Sequence, residues 1–225
     1  MNAQAAILLL GIGNVLWADE GFGVRVVEQL QRHYRLPDSV KVLDGGTQGI
    51  YLVEHVQAAD ILIVFDAIDY GLAPGTLKQI VNDDVPKFLG AKKMSLHQTG
   101  FQEVLAMAEM LGDYPRQLLL IGVQPEELED YGGSLRPCVK AQIQPAIELA
   151  LTFLQKFGVH AEIIDTPLAL TDPMLDMQRY EQERPTEDIA CRIGDERVLL
   201  SDAFNLQQPK SGSGMEVAVD YRGQY

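Results

Sequence analysis

The sequence predicts an α/β fold: a twisted, mostly parallel sheet with helices on both faces, in three α/β/α layers. Short β-like runs alternate with helical patterns along the chain, the order that builds parallel sheets covered on two sides. The run "ILIVFD" at 61–66 is apolar throughout, as a central strand buried on both faces must be. With 225 residues and 47% hydrophobic content, the chain can bury one substantial core and still carry an appendage.

Each element follows from its own pattern. Ile7 to Leu10 reads as the first strand, ended by the turn "GIG" at 11–13. "FGVRVVEQLQRHY" places Val24, Val27, Leu30 and Tyr34 at three- and four-residue spacing, so an amphipathic helix packs there on the sheet. "VKVLD" at 40–44 is the next strand, "GIYLVEHV" at 49–56 a short helix, and 61–66 the central strand. "GTLKQIV" at 75–81 alternates more and suggests an edge or hairpin strand. Thr99 and Gln102 have capping-box spacing, which predicts a helix starting with Thr99 as N-cap. "QLLLIGVQP" at 117–125 is the last clear strand. A long helix over 135–157 is expected to bend at Pro145, because proline removes an internal hydrogen bond. These elements make an α/β domain over 1–158. Residues 159–225, with 6 basic and 13 acidic residues and little periodicity, read as an acidic tail, poorly structured or docking.

Composition excludes several roles. The net charge of −14, from 18 basic against 32 acidic residues, argues against nucleic acid, since phosphate binding needs clustered Lys and Arg. Cys138 and Cys191 form no CxxC pair and suggest neither a disulfide framework nor a thiolate metal site, so a reducing, cytoplasmic setting is expected. The apolar N-terminus lacks a basic flank and runs into a glycine turn, so it reads as a strand rather than a signal peptide. No apolar run approaches the ~20 residues of a membrane span, and no membrane insertion is expected.

Ligand sites of open parallel sheets form outside the carboxyl ends of the strands. Four segments deliver polar groups to that edge: Asp19 and Glu20 after the first glycine turn, Asp44 in "KVLDGGTQG", Asp66 in "ILIVFDAID", and His97 in "KKMSLHQTG". Each has a simpler reading. Asp19 and Glu20 serve a helix start as cap and first-turn acid, Asp44 supports a glycine turn, Asp66 binds loop amides, and a lone His beside a helix is more often structural than catalytic. The conjunction favours function. Glu20, Asp66 and His97 form an O, O, N set suited to Ni²⁺, Zn²⁺, Mn²⁺ or Fe²⁺ with coordination positions left open. Rival chemistries fit less well. In "GIGNVL" Leu16 replaces the third glycine of a dinucleotide fingerprint, no GxSxG occurs, and Cys138 has no nearby His.

The motifs "GIGNVLWADEGFGVR", "LDGGTQG", "DAIDYG", "APGTL", "KKMSLHQTGFQEVLA" and "IGVQPEELEDYGGSL" resemble, in order over roughly 6–157, the hydrogenase maturation endopeptidases that process the large subunit of [NiFe] hydrogenases. "ADEGFG" and "AKKMSLHQ" look most like the branch serving membrane-bound uptake hydrogenases. The resemblance implies a parallel-rich α/β/α fold, metal contact and catalysis at Glu20, Asp66 and His97, and help from Asp44 in substrate recognition. It also implies the reaction, hydrolysis of one peptide bond that removes a C-terminal extension of the large-subunit precursor after nickel insertion. Nickel is then expected to arrive with the substrate, with Zn²⁺ or Cd²⁺ able to substitute. The rival class is a nickel-sensing chaperone that inspects the same subunit without cutting it.

Overall fold

The computed structural model describes residues 5–85, 96–169 and 176–184, of which 96–99 by their backbone alone. Its centre is a five-stranded sheet of β1 (Ile7–Ile12), β3 (Val40–Gly46), β4 (Ile61–Ala67), β5 (Leu77–Val81) and β6 (Gln117–Val123), in the order β3-β1-β4-β6-β5. The first four are parallel, with Leu9 opposite Val42 and Ile63, and Val64 opposite Leu120. β5 runs antiparallel to β6 at the edge, as its more alternating sequence predicts. The sheet is thus mostly parallel, and its helices lie on both faces.

Alternate side chains of each strand feed two cores, which is why these strands are apolar at every position. Ile7, Leu9, Ile61, Ile63 and Phe65 face α1 (Phe22–His33) and the helix α4 (Ile143–Gln155). Leu8, Leu10, Leu62 and Val64 face α2 (Val53–Gln57) and α3 (Leu96–Leu111). Phe22, Phe65, Leu9 and Leu10 are completely inaccessible. Burying side chains of this size stabilises the fold by about 1.5–3 kcal/mol each relative to exposure.

Two helix boundaries differ from expectation. α3 begins at Leu96, one turn before Thr99, so Thr99 lies inside the helix and is not its N-cap. Leu96, His97 and Gln98 contain no helix breaker, and the helix propagates through them. The 135–157 segment is two pieces: a helical turn at Pro137–Lys140, then α4, parted at 141–142. The break falls four residues before Pro145, which cannot donate to the Ala141 carbonyl, so the proline interrupts the segment at 141–142 and does not bend one continuous helix.

Beyond residue 158 the described chain continues against the same body. Glu162–Ile163 (β7) pairs antiparallel with Tyr34–Arg35 (β2), and Leu168 donates its amide to the Arg32 carbonyl at 3.0 Å. A short helix, α5 (Met177–Glu183), is capped by Asp176, whose side chain accepts the Arg179 amide at 2.9 Å. Residues 1–184 form one compact unit, and residues 185–225 lie outside the described residues.

Candidate active site

The sheet order places the site. From β1 the chain goes to β3 on one side, then crosses back to β4 on the other, so the loops leaving β1 and β4 diverge. Such a switch point opens a crevice at the carboxyl ends of the two strands. Glu20 follows β1, and Asp66 lies near the end of β4.

Glu20 is carried on a 3-10 turn, Ala18–Gly21, that packs against β4 and runs directly into α1. The glycines preceding and following it allow this placement. Gly13 has φ +132°, and a Cβ there would lie 1.8 Å from the Glu20 carbonyl oxygen. A Cβ on Gly23 would lie 2.1 Å from the Phe65 carbonyl and 2.3 Å from that of Ile12, so only glycine lets α1 press onto the ends of β4 and β1. Glu20 is half-buried, and loss of solvent pushes its carboxyl up to about 7.

Asp66 is 3% exposed and accepts the Ala67 amide at 2.8 Å. Gly122 lies opposite it on β6, and a Cβ on Gly122 would lie 1.8 Å from the Tyr70 hydroxyl. Burial, and then the Asp66 charge, push the Tyr70 phenol well above its ordinary range. His97 falls in the first turn of α3 by its backbone, and its side chain lies outside the described residues. That helix end belongs to the same edge: a Cβ on Gly100 would come within 3.7 Å of the Gly49 Cα, in the loop after β3.

Asp19 and Asp44 part company. Asp19 is fully buried, and its two oxygens accept the amides of Glu126 at 2.8 Å, Glu127 at 2.9 Å and Arg136 at 2.7 Å. A carboxylate so engaged ties the loop after β6 to the turn carrying Glu20. It does not cap the turn, which has no side-chain cap. Asp44 lies two residues before the end of β3, opposite Gly11, where a register shift admits an extra residue. As a residue it is exposed, yet its carboxyl sits against the loop closely enough that desolvation raises its pKa; the Gly46 amide and Arg25 oppose this and Glu28 adds to it.

Other residues that shape the site carry weak sequence signals. Gln124, just past β6, accepts the amides of Tyr70 at 2.7 Å and Leu72 at 3.1 Å and donates to Asp69 at 3.0 Å, fixing the loop after β4. Arg25 and Glu28 form a buried pair at 2.7 Å on α1; their three-residue spacing was visible, but their burial depends on α5 covering them. Cys138 donates to Glu126 at 2.9 Å, and desolvation together with that carboxylate raises its thiol, the reverse of what a nucleophile needs.

Among the described residues no group of three His, Cys, Asp or Glu is set to hold a metal. The described members of the expected set are two carboxylates, Glu20 on the turn after β1 and Asp66 near the end of β4, both hard oxygen donors. Their chemistry fits a divalent cation, which would favour the ionised form of a carboxyl that burial alone holds near neutrality.

Carboxylates at a switch point mark a candidate ligand site, and comparison specifies the class of protein. The family model HycI, "Hydrogenase maturation protease", matches residues 24–153, and the chain belongs to this hydrogenase maturation protease family. The hydrogenase expression/formation protein HupD of Thiocapsa roseopersicina is 62% identical over 219 residues, covering 95% of this chain and 99% of its own. HoxM of Cupriavidus necator is 58% identical, covering 87% and 99%, and the hydrogenase 2 maturation protease of Escherichia coli is 46% identical, covering 69% and 94%. The higher identities to HupD and HoxM agree with the uptake-hydrogenase branch that the motifs resemble. Among solved structures, the hydrogenase maturating endopeptidase HybD of E. coli superposes with TM-score 0.66 at 44% identity, covering 70% of this chain and 96% of that one. The chain is therefore a maturation endopeptidase, a hydrolase, with an α/β/α fold. Among the described residues no helix is long and apolar enough to cross a membrane.

Proposed function

We propose that this chain hydrolyses one peptide bond in the large-subunit precursor of an [NiFe] hydrogenase, removing its C-terminal extension after nickel has been inserted. Glu20, Asp66 and His97 engage the nickel that the precursor carries. The observation that supports this reading is that Glu20, on a turn packed against β4, and Asp66, near the end of β4, both belong to the β1/β4 switch point, with the Glu20 carboxyl raised to about 7 by burial. A half-buried carboxyl of this kind gains most from a partner that brings positive charge. A divalent ion there supplies Lewis acidity toward the scissile carbonyl or a water. The chain's own part is to bind and orient: Gly13 and Asp19 fix the Glu20 turn, β4 fixes Asp66, and the α3 start brings in His97. Asp44, at the neighbouring strand end, contacts the precursor. Zn²⁺ or Cd²⁺ substitutes at this donor set only at high concentration. The reaction takes place in the cytoplasm, and nucleic acid has no part in it.

Incubation of the purified protein with nickel-loaded precursor tests this. Intact-mass measurement should show loss of the C-terminal extension, and Glu20→Ala or Asp66→Ala should abolish the loss. Binding without any loss of mass would make the protein a chaperone instead.

A further inference from the structure

We infer that helix α5 is a positioning clasp for the active site: it grips the loop 130–136, and through that loop it holds the turn that carries Glu20. The helix lies beyond residue 153, where the family match ends.

The loop is held from two sides. On the site side, the Gly132 amide donates to the Leu16 carbonyl at 2.7 Å, and Trp17 bridges to Tyr131 with their rings 5.2 Å apart, edge to face. Asp19 binds the Arg136 amide at the loop's far end. On the other side, α5 supplies the grip. Glu181 accepts from the Ser134 hydroxyl at 2.8 Å, and its two oxygens receive the Lys140 ammonium at 2.7 and 2.9 Å. Arg184 donates to the Gly132 carbonyl at 3.1 Å, and the Tyr180 hydroxyl reaches the Gly133 carbonyl at 3.4 Å. Gly132 is thus bonded through its amide to the site turn and through its carbonyl to the clasp.

The clasp is anchored on α1. The Met177 amide donates to Glu28 at 3.2 Å, Arg32 pairs with Asp176, and the Arg25 guanidinium stacks 5.6 Å over the Tyr180 ring. Since α1 grows directly out of the Glu20 turn, the helix, the loop and the turn form a closed loop of contacts. Opening it at Glu181 frees residues 130–134 to move, and the Leu16–Trp17 segment with them. Glu181 and Tyr180 are positioning residues and touch no reacting atom.

Trp17 is the only tryptophan in the sequence and reports on this turn directly. The test compares full-length wild type with Glu181→Ala, with the charge exchange Lys140→Glu/Glu181→Lys, and with Arg179→Ala, whose 2.7 Å pair with Glu183 lies within the helix away from the loop. The activity arm rests on the proposed function; the emission arm does not. Glu181→Ala should shift Trp17 emission to the red and lower kcat on nickel-loaded precursor roughly tenfold, with KM changed less than about twofold, as expected when a reacting group is slightly misplaced. The charge exchange should restore both, and Arg179→Ala should leave both unchanged. Unchanged emission in Glu181→Ala overturns the clasp, and so does shifted emission with full activity. If wild type cuts no precursor, the proposed function fails, while the emission comparison still decides whether α5 holds the turn.

Discussion

Replacing Asp19 tests whether the turn beside Glu20 is built as described. Asp19→Ala leaves the amides of Glu126, Glu127 and Arg136 without the carboxylate that accepts them at 2.7–2.9 Å. These groups are partly buried, so water repairs some of the loss, and about 1 kcal/mol per bond is appropriate, about 3 kcal/mol in all. For a domain of this size that lowers Tm by roughly 6–12 °C. Asp19→Asn is the sharper variant. It keeps the volume and one carbonyl oxygen, which can still accept the Glu126 and Glu127 amides, but its NH2 group then faces the Arg136 amide, so it should cost about 1–3 kcal/mol for that one unmatched donor. Thermal and urea unfolding followed by circular dichroism at neutral pH would measure both. If Asp19→Asn unfolds within about 0.5 kcal/mol of wild type, a change typical of surface sites, the three-amide clamp is refuted.

Gly13→Ala places a methyl 1.8 Å from the Glu20 carbonyl at φ +132°, so it should abolish precursor cleavage and lower Tm; near-normal activity would contradict the packing of this turn. Glu20→Gln bears on pH. The folded-state carboxyl, raised from 4.5 to about 7, loses stability as pH climbs through that window, because ionisation is resisted in the fold and not in the unfolded chain. The glutamine variant should therefore match wild type below pH 4 and exceed its Tm at pH 8, while cutting no precursor; a lower Tm at pH 8 would contradict it. A chain ended after His160 should stay folded, since among the described residues both cores are complete by Val159 apart from the flanking Met177, but its Tm should fall and its Trp17 emission should shift. Insolubility of that chain would show that the later segment completes the core.

The strands were legible because two-sided burial leaves an unbroken apolar run, and Ile61–Ala67 and Gln117–Val123 begin where the sequence places them. The start of α3 was less so. Thr99 and Gln102 satisfy a capping rule, but nothing before Thr99 stops a helix, and the helix ran on to Leu96. Pro145 was legible as an interruption, but it parts the segment four residues earlier, at 141–142, where a bend in one helix was expected. The positions of Glu20 after β1 and Asp66 near the end of β4 were legible from the strand-end rule. The role of Asp19 was hidden, because its three partners lie 107–117 residues away and are backbone amides that any sequence would supply. The docking of α5 was hidden as well. Its contacts are polar, through Glu181, Arg184 and Asp176, and they leave no apolar periodicity to read.

The central claim is that the substrate's nickel completes the site formed by Glu20, Asp66 and His97. The direct measurement sets purified enzyme, assayed for bound metal, against precursor with and without nickel, the latter also with Zn²⁺ added, and follows the C-terminal mass. Two carboxylates and an imidazole discriminate poorly among divalent ions, so the enzyme should purify with far less than one nickel per chain. It should shorten nickel-loaded precursor and leave nickel-free precursor intact even with zinc present. Efficient cutting of nickel-free precursor by a zinc-loaded enzyme would contradict the account and make the protein a metallopeptidase with a cofactor of its own.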